Sequence, residues 1–232
     1  MDAAELQPEE MPLKSVRIWD LPTRMFHWLL VLAVVGLVIT GNVGGDAMVW
    51  HFRLGYCVLT LLLFRLVWGF VGGYWSRFGS FVRMPWTVLN YLRGKNLPVA
   101  AGHNPLGAYS VLALLLAAAM QASAGLMSDD EIMAAGPLVA KVPSDWVVWA
   151  SFMHTKVFKV VLIALVLLHV LAILWYRFKK NDNLVRPMIT GDKAFSQDVP
   201  ASRDDVVTRL AALAVLSMCA AAVTVLVRWA QG

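Results

Sequence analysis

Charge is scarce in this sequence. Only 15% of its 232 residues are Asp, Glu, Lys or Arg, while 59% are hydrophobic and the mean hydropathy is +0.65. A water-soluble domain carries about a quarter charged residues, so the composition excludes one and predicts an integral membrane protein. Cysteine is nearly absent: Cys57 and Cys219 each stand inside an apolar run, and neither belongs to a Cys-x-x-Cys-His pattern. That excludes a disulfide framework, a cysteine-held metal cluster and thioether attachment of a cofactor. Nucleotide loops, phosphate-binding motifs and nucleophile–base arrangements are missing as well. Residues 1 to 24 are polar, include Glu5, Glu9 and Glu10, and lack the short positive leader of a signal peptide, so the first apolar run is expected to stay in the membrane. The net charge of +5 does not imply nucleic acid, because the basic residues gather beside apolar segments, where they set membrane orientation.

What the chain has in abundance is apolar runs of spanning length. The pattern predicts an all-α membrane helical bundle with spans at Met25 to Thr40, Val49 to Phe70, Leu106 to Ala124, Trp146 to Tyr176 and Leu210 to Val227. Asp20 or Thr23 is the expected cap of the first span, with Pro22 in its first turn, and Asn104-Pro105 marks the start of the third. Gly41 to Gly45 breaks the chain between the first two. Residues 71 to 104 carry Arg77, Arg83, Arg93 and Lys95 without an acidic residue, and Arg177, Lys179 and Lys180 end the fourth span. These loops and the N-terminus are therefore expected in the cytoplasm, and residues 41 to 48, 127 to 145 and the C-terminus on the external side. Pro85 to Leu92 has the spacing of a short helix lying in the interface, read here as a connector. Asp129, Asp130, Glu131 and Asp145 make an acidic external loop, read as solvated, with docking of a basic partner as the alternative.

Against this apolar background stand histidines near span ends. His154 and His169 lie fifteen positions apart in the fourth span, which returns to within about 60° of one helix face and separates them by roughly 22 Å along the axis. His27 opens the first span and His51 the second. Ionisable groups inside a membrane are costly and mark function by default. Four such histidines can form two opposed pairs, and a pair of neutral imidazoles is the ligand set of a six-coordinate haem iron. Depth pairs His27 with His169 on the cytoplasmic side and His51 with His154 on the external side. Interhelical hydrogen bonding without any cofactor is the alternative.

Haem propionates need cationic partners, and arginine suits a carboxylate best. Arg24, one turn before His27, and Arg65, near the cytoplasmic end of the second span, are placed for the inner haem; Arg53 and Lys156 are the outer candidates. The third span, rich in Gly107, Ala113, Ala117, Ala118, Ala119 and Ala122, reads as a wall of the site. His103 reads as an interfacial loop histidine, with contact to a propionate or quinone as the alternative. Trp19, Phe26, Trp28, Trp50, Trp68, Trp146, Trp149 and Trp175 concentrate near span ends, as an interfacial belt does.

The runs Arg17-x-Trp19-Asp20-x-x-x-Arg24-x-x-His27-Trp28, His51-x-x-x-Gly55, Arg65-Leu-Val-Trp-Gly-Phe70, Arg77-Phe78, Gly102-His-Asn-Pro-Leu-Gly107 and Asn183-Leu-Val-x-x-Met-Ile-Thr-Gly191 together resemble the prokaryotic membrane cytochrome b family, the bacterial b561 type that includes the b-type cytochrome subunit of nickel-iron hydrogenases. The resemblance covers nearly residues 17 to 193. It implies a four-helix core holding two haem b groups, with ligands from the first, second and fourth spans falling on His27, His51, His154 and His169. It also implies thirteen residues between the last two ligands, where fourteen stand here, and the fifth span exceeds the minimal bundle. The resulting domain division is a cytoplasmic segment at 1–24, a di-haem domain at 25–180, a connector at 181–205 and a fifth helix at 206–232. Three functions are open: electron transfer between membrane quinone and a periplasmic cytochrome c or other redox protein; the anchor subunit of a nickel-iron hydrogenase, docked to hydrogenase subunits; and a haem-free transporter or structural protein. The first two make it an oxidoreductase component held among membrane lipid, with no nucleic acid partner and an oligomer possible in principle.

Overall fold

The computed structural model describes residues 12–95 and 101–232. Glu5, Glu9, Glu10 and residues 96–100 of the connection before the third span fall outside those residues.

Among the described residues, five helices are long and apolar enough to cross a membrane. A short strand β1 (Lys14–Arg17) leads into α1 (Leu21–Val43), capped by the Asp20 carboxylate, which accepts from the Thr23 N–H. Of the two expected caps, Asp20 serves, and α1 extends further at both ends than the apolar run alone suggests. Gly44, at φ +67, ends it in a conformation that a side chain would strain. The second span is α2 (Met48–Val71). Two short helices, α3 (Phe78–Phe81) and α4 (Pro85–Leu92), follow, the latter at the expected interfacial segment. The third span is α5 (Pro105–Leu126), capped by Asn104 through the Gly107 N–H. The fourth is continuous from Ser144 to Lys179 but changes winding within: α6 (Ser144–Phe152), a π-helical stretch at Met153–Phe158, and α7 (Lys159–Lys179). A short α8 (Val185–Thr190) and strand β2 (Asp192–Phe195) precede the last span, α9 (Val206–Gln231), whose cap is Asp205.

The helices pack as two hairpins, α1 with α2 and α5 with α6–α7, joined where α2 meets α5; α9 lies along α2 on the other side. Phe26, Leu61, Phe64 and Trp68 meet Ala212 and Cys219 of α9 in one buried cluster. Trp19, Phe26 and Trp68 are thus core residues, a correction to the belt reading, whereas Trp50, Trp146 and Trp175 remain exposed as a belt requires. Trp68 sits inside because its indole N–H finds the buried Asp20 carboxylate, which lets an amphipathic ring leave the interface.

A sheet that no local pattern announces closes one end of the bundle. β1 pairs antiparallel with β2, Arg17 opposite Asp192. Asp204 binds this end together, ion-paired to Arg17, Arg24 and Arg209 and accepting from the Leu21 N–H. Burial pushes the Asp204 carboxyl up, but the hydrogen bonds from Arg209, Leu21 and Arg17 outweigh it and hold it below the usual carboxylate range. Its contribution to stability is therefore full above about pH 4 and lost as pH falls through the lower folded value. Asp204→Ala is expected to cost about 2 kcal/mol and to lower the thermal midpoint at pH 7, with the gap to wild type closing in acid. An equal gap at both pH values would contradict this.

The same end holds the termini of α2 and α7 and the start of α5: Trp75 and Trp19 flank Gly102, and Tyr176 hydrogen-bonds Asn104. At the opposite end Lys141 covers the ring of Trp229, near the C-terminus of α9. The residues expected on one membrane side thus lie together, as do those expected on the other.

Candidate haem sites

The end opposite the sheet brings His51 and His154 together, with ring centroids 6.1 Å apart and planes at 88°. A metal–imidazole bond is about 2 Å and a ring centroid lies about 1 Å behind its nitrogen, so two imidazoles sharing one metal have centroids roughly 6 Å apart. The observed spacing fits such a pair.

Hydrogen bonds fix the tautomer of each ring. The Thr40 hydroxyl donates to Gly36 O at 2.7 Å, so toward His51 it accepts, and Leu37 O can only accept; both lie 3.2 Å from His51 Nδ1. His154 Nδ1 lies 2.9 Å from Gln121 O, again an acceptor. Each Nδ1 therefore carries the proton, and each Nε2 keeps a lone pair for a metal. Space beside the rings is made by glycine: a Cβ on Gly41 would sit 3.0 Å from His51 Cε1, and one on Gly125 2.8 Å from His154 Cε1. Gly55, one turn beyond His51, faces open space, room for a flat ring on that side of α2.

His27 lies in the second turn of α1, and His169 lies in α7. Nδ1 of His27 is buried without a partner. None of the side chains of α7 is fully buried.

Three buried nitrogens without partners gather toward the sheet end: Arg65 Nη1, Arg24 Nε and His103 Nδ1. Arg65 is 3% exposed and lies over the Phe78 ring at 4.8 Å. Arg24 also donates to Ile189 O. Arg24 also pairs with Asp204, and the Asp20 carboxylate offsets the Arg65 charge, but each guanidinium keeps an open donor that a propionate would accept. His103 packs between Trp19 and Phe81, with centroids 4.8 and 4.7 Å away, and so is enclosed where a solvated loop residue was expected. Its burial, with Arg65 nearby, pulls the imidazole down to about 3, so it stays neutral at physiological pH. Of the expected outer propionate partners, Arg53 stacks on Trp50 at 5.0 Å and Lys156 is exposed. Gln121, which meets His154 twice, was given no role by its sequence context; a polar amide inside a run of alanines was the available signal.

No group of three or more His, Cys, Asp or Glu side chains able to hold a metal ion occurs among the described residues. A centre built from two histidines per metal is what the donor set offers, and haem, which supplies the other four ligands itself, fits it.

Comparison with known proteins agrees with this chemistry. Residues 18–191 match the family model described as prokaryotic cytochrome b561. The chain is 30% identical over 89 residues to the probable Ni/Fe-hydrogenase 1 B-type cytochrome subunit of Escherichia coli K12, covering 31% of this chain and 38% of that protein. It is 31% identical over 120 residues to the probable Ni/Fe-hydrogenase B-type cytochrome subunit of Azotobacter chroococcum, and 29% over 133 residues to that of Azotobacter vinelandii. These cover 40% and 46% of this chain, and 50% and 55% of the relatives, so the chain spans about half or less of the curated proteins it matches. No solved structure matches it. With three quarters of its length under that model and paired histidines inside the bundle, the chain belongs to the prokaryotic cytochrome b561 family.

Proposed function

We propose that this chain carries electrons across the bacterial inner membrane through two b haems, between membrane quinone and a redox protein in the periplasm. The observation that carries the reading is the His51–His154 pair, set at the spacing of two ligands on one metal at the end opposite His27 and His169. Haem iron supplies one-electron chemistry when bound. The chain's own residues hold and orient it: His51 and His154 as ligands on the external side, His27 and His169 on the cytoplasmic side, and Arg24 and Arg65 to neutralise the inner propionates. Two histidines per iron leave no open coordination position, which favours electron transfer over oxygen binding. The N-terminus would be cytoplasmic and the C-terminus periplasmic, as the basic loops suggest.

Purified protein reduced by a quinol analogue, then reoxidised by external redox proteins, tests the route. Haem absorbance is expected to follow both additions. A second reading, the cytochrome subunit of a nickel-iron hydrogenase, is favoured by the names of the relatives. Failure of every quinol, together with rapid reduction by hydrogenase and hydrogen, would decide for it. A protein purified without any haem absorbance would leave the transporter reading standing instead.

A further inference from the structure

Gln121 of α5 grips His154 at two points. Its backbone carbonyl accepts a hydrogen bond from the Nδ1–H at 2.9 Å, and its side-chain amide donates to the main-chain carbonyl of His154 at 3.1 Å. The amide cannot be turned over, because Oε1 would then face the His154 carbonyl, acceptor against acceptor. That carbonyl belongs to the π-helical stretch Met153–Phe158, where the helical hydrogen bonds are spread over a wider register and an added donor is most useful. One turn along the same face of α5, Gly125 leaves the room the imidazole fills. α5 therefore forms a socket for this one histidine: a wide turn that carries it, two hydrogen bonds that orient it, and a glycine that admits it. His51 is held separately, by Leu37, Thr40 and the space at Gly41. The two sockets set the rings at 88°.

We propose that Gln121 is a positioning residue that fixes the His154 imidazole plane perpendicular to that of His51 and so sets the ligand-field symmetry of the external metal centre. This rests on the reading of His51 and His154 as ligands of one haem. Perpendicular imidazoles donate into different iron d orbitals and leave them nearly equal in energy; parallel imidazoles split them. Oxidised low-spin iron reports the difference as a strongly anisotropic electron paramagnetic resonance signal in the first case and a rhombic one in the second. A residue that orients a ligand through hydrogen bonds acts on this symmetry without touching the metal.

The test compares oxidised wild type with Q121M, which keeps the side chain's length and removes its donor; His154→Leu identifies the external signal by its disappearance. Wild type is expected to show a strongly anisotropic external signal. In Q121M that signal shifts toward rhombic at unchanged haem content, while the other signal stays in place. Loss of the external haem alone would overturn the proposal, since a packing defect at His154 gives that result without any change of ring plane. A rhombic external signal in wild type, a Q121M spectrum superimposable on wild type, or loss of both haems would overturn it. Wild type with no low-spin haem signal at all would refute the bis-histidine reading itself.

Discussion

Replacing His154 with leucine is expected to halve the haem content of the purified protein, read by the pyridine haemochrome assay, and replacing His51 should do the same. The magnitude follows from independence of the two sites. His51 and His154 occupy one end of the bundle with their own hydrogen-bond partners, Leu37, Thr40 and Gln121, none of which hydrogen-bonds His27 or His169 among the described residues. Leucine fills the volume but offers no lone pair, and haem held through one imidazole washes out. The combinations discriminate further. His51→Leu with His154→Leu should still retain one haem, because both changes strike the same site, whereas His51→Leu with His27→Leu should retain none. Such non-additivity is the mark of groups acting as a unit. Two haems retained in either single variant, or none in the His51/His154 double variant, would break the pairing.

That His51 and His154 come together was legible because the signal is cheap to read: a polar side chain in an apolar run is conspicuous, and span direction fixes depth. The five spans were legible for the same reason, and so was the Asn104 cap. What the sequence hides is contact between distant segments. The β1–β2 sheet joins residues about 175 positions apart, and each strand is too short to show alternation. Trp19, Phe26 and Trp68 sit at span ends in the positions an interfacial belt would take; α9 and the Asp20 carboxylate bring Phe26 and Trp68 inside, and Trp75 and Ala101 pack against Trp19. His103 is enclosed by Trp19 and Phe81, supplied from two remote stretches. The fourteenth residue between His154 and His169 has a physical account that spacing alone does not provide. A π-helical stretch inserts a residue without breaking the helix, and His154 lies within it at Met153–Phe158.

Asp20→Ala is expected to be the most damaging change away from the histidines. Asp20 is fully buried, and its carboxylate accepts from the Thr23 N–H at 2.7 Å, the Gly73 N–H and the Ser76 hydroxyl at 2.9 Å each, and the Trp68 indole at 3.3 Å. One side chain thus caps α1, anchors the end of α2 and fastens the turn that follows. Gly73 has to be glycine for this contact, since a Cβ there would stand 2.3 Å from Asp20 Oδ2. With alanine, Ser76 keeps the Thr23 hydroxyl as a partner at 2.7 Å, but the other three donors are left buried and unmet. At about 1–3 kcal/mol for each orphaned donor, the loss is about 4 kcal/mol, a large share of the 5–15 kcal/mol that stabilises a typical fold. The Arg65 guanidinium also loses the carboxylate that offsets its charge, at the place where the inner propionates would lie. Asp20→Asn keeps the shape and one acceptor, turns an N–H₂ toward at least one donor, and should cost about half as much. Thermal unfolding in detergent, followed by tryptophan emission, ranks wild type above Asp20→Asn above Asp20→Ala. A midpoint for Asp20→Ala equal to that of wild type would show that these donors find other partners and that the junction does not depend on the carboxylate.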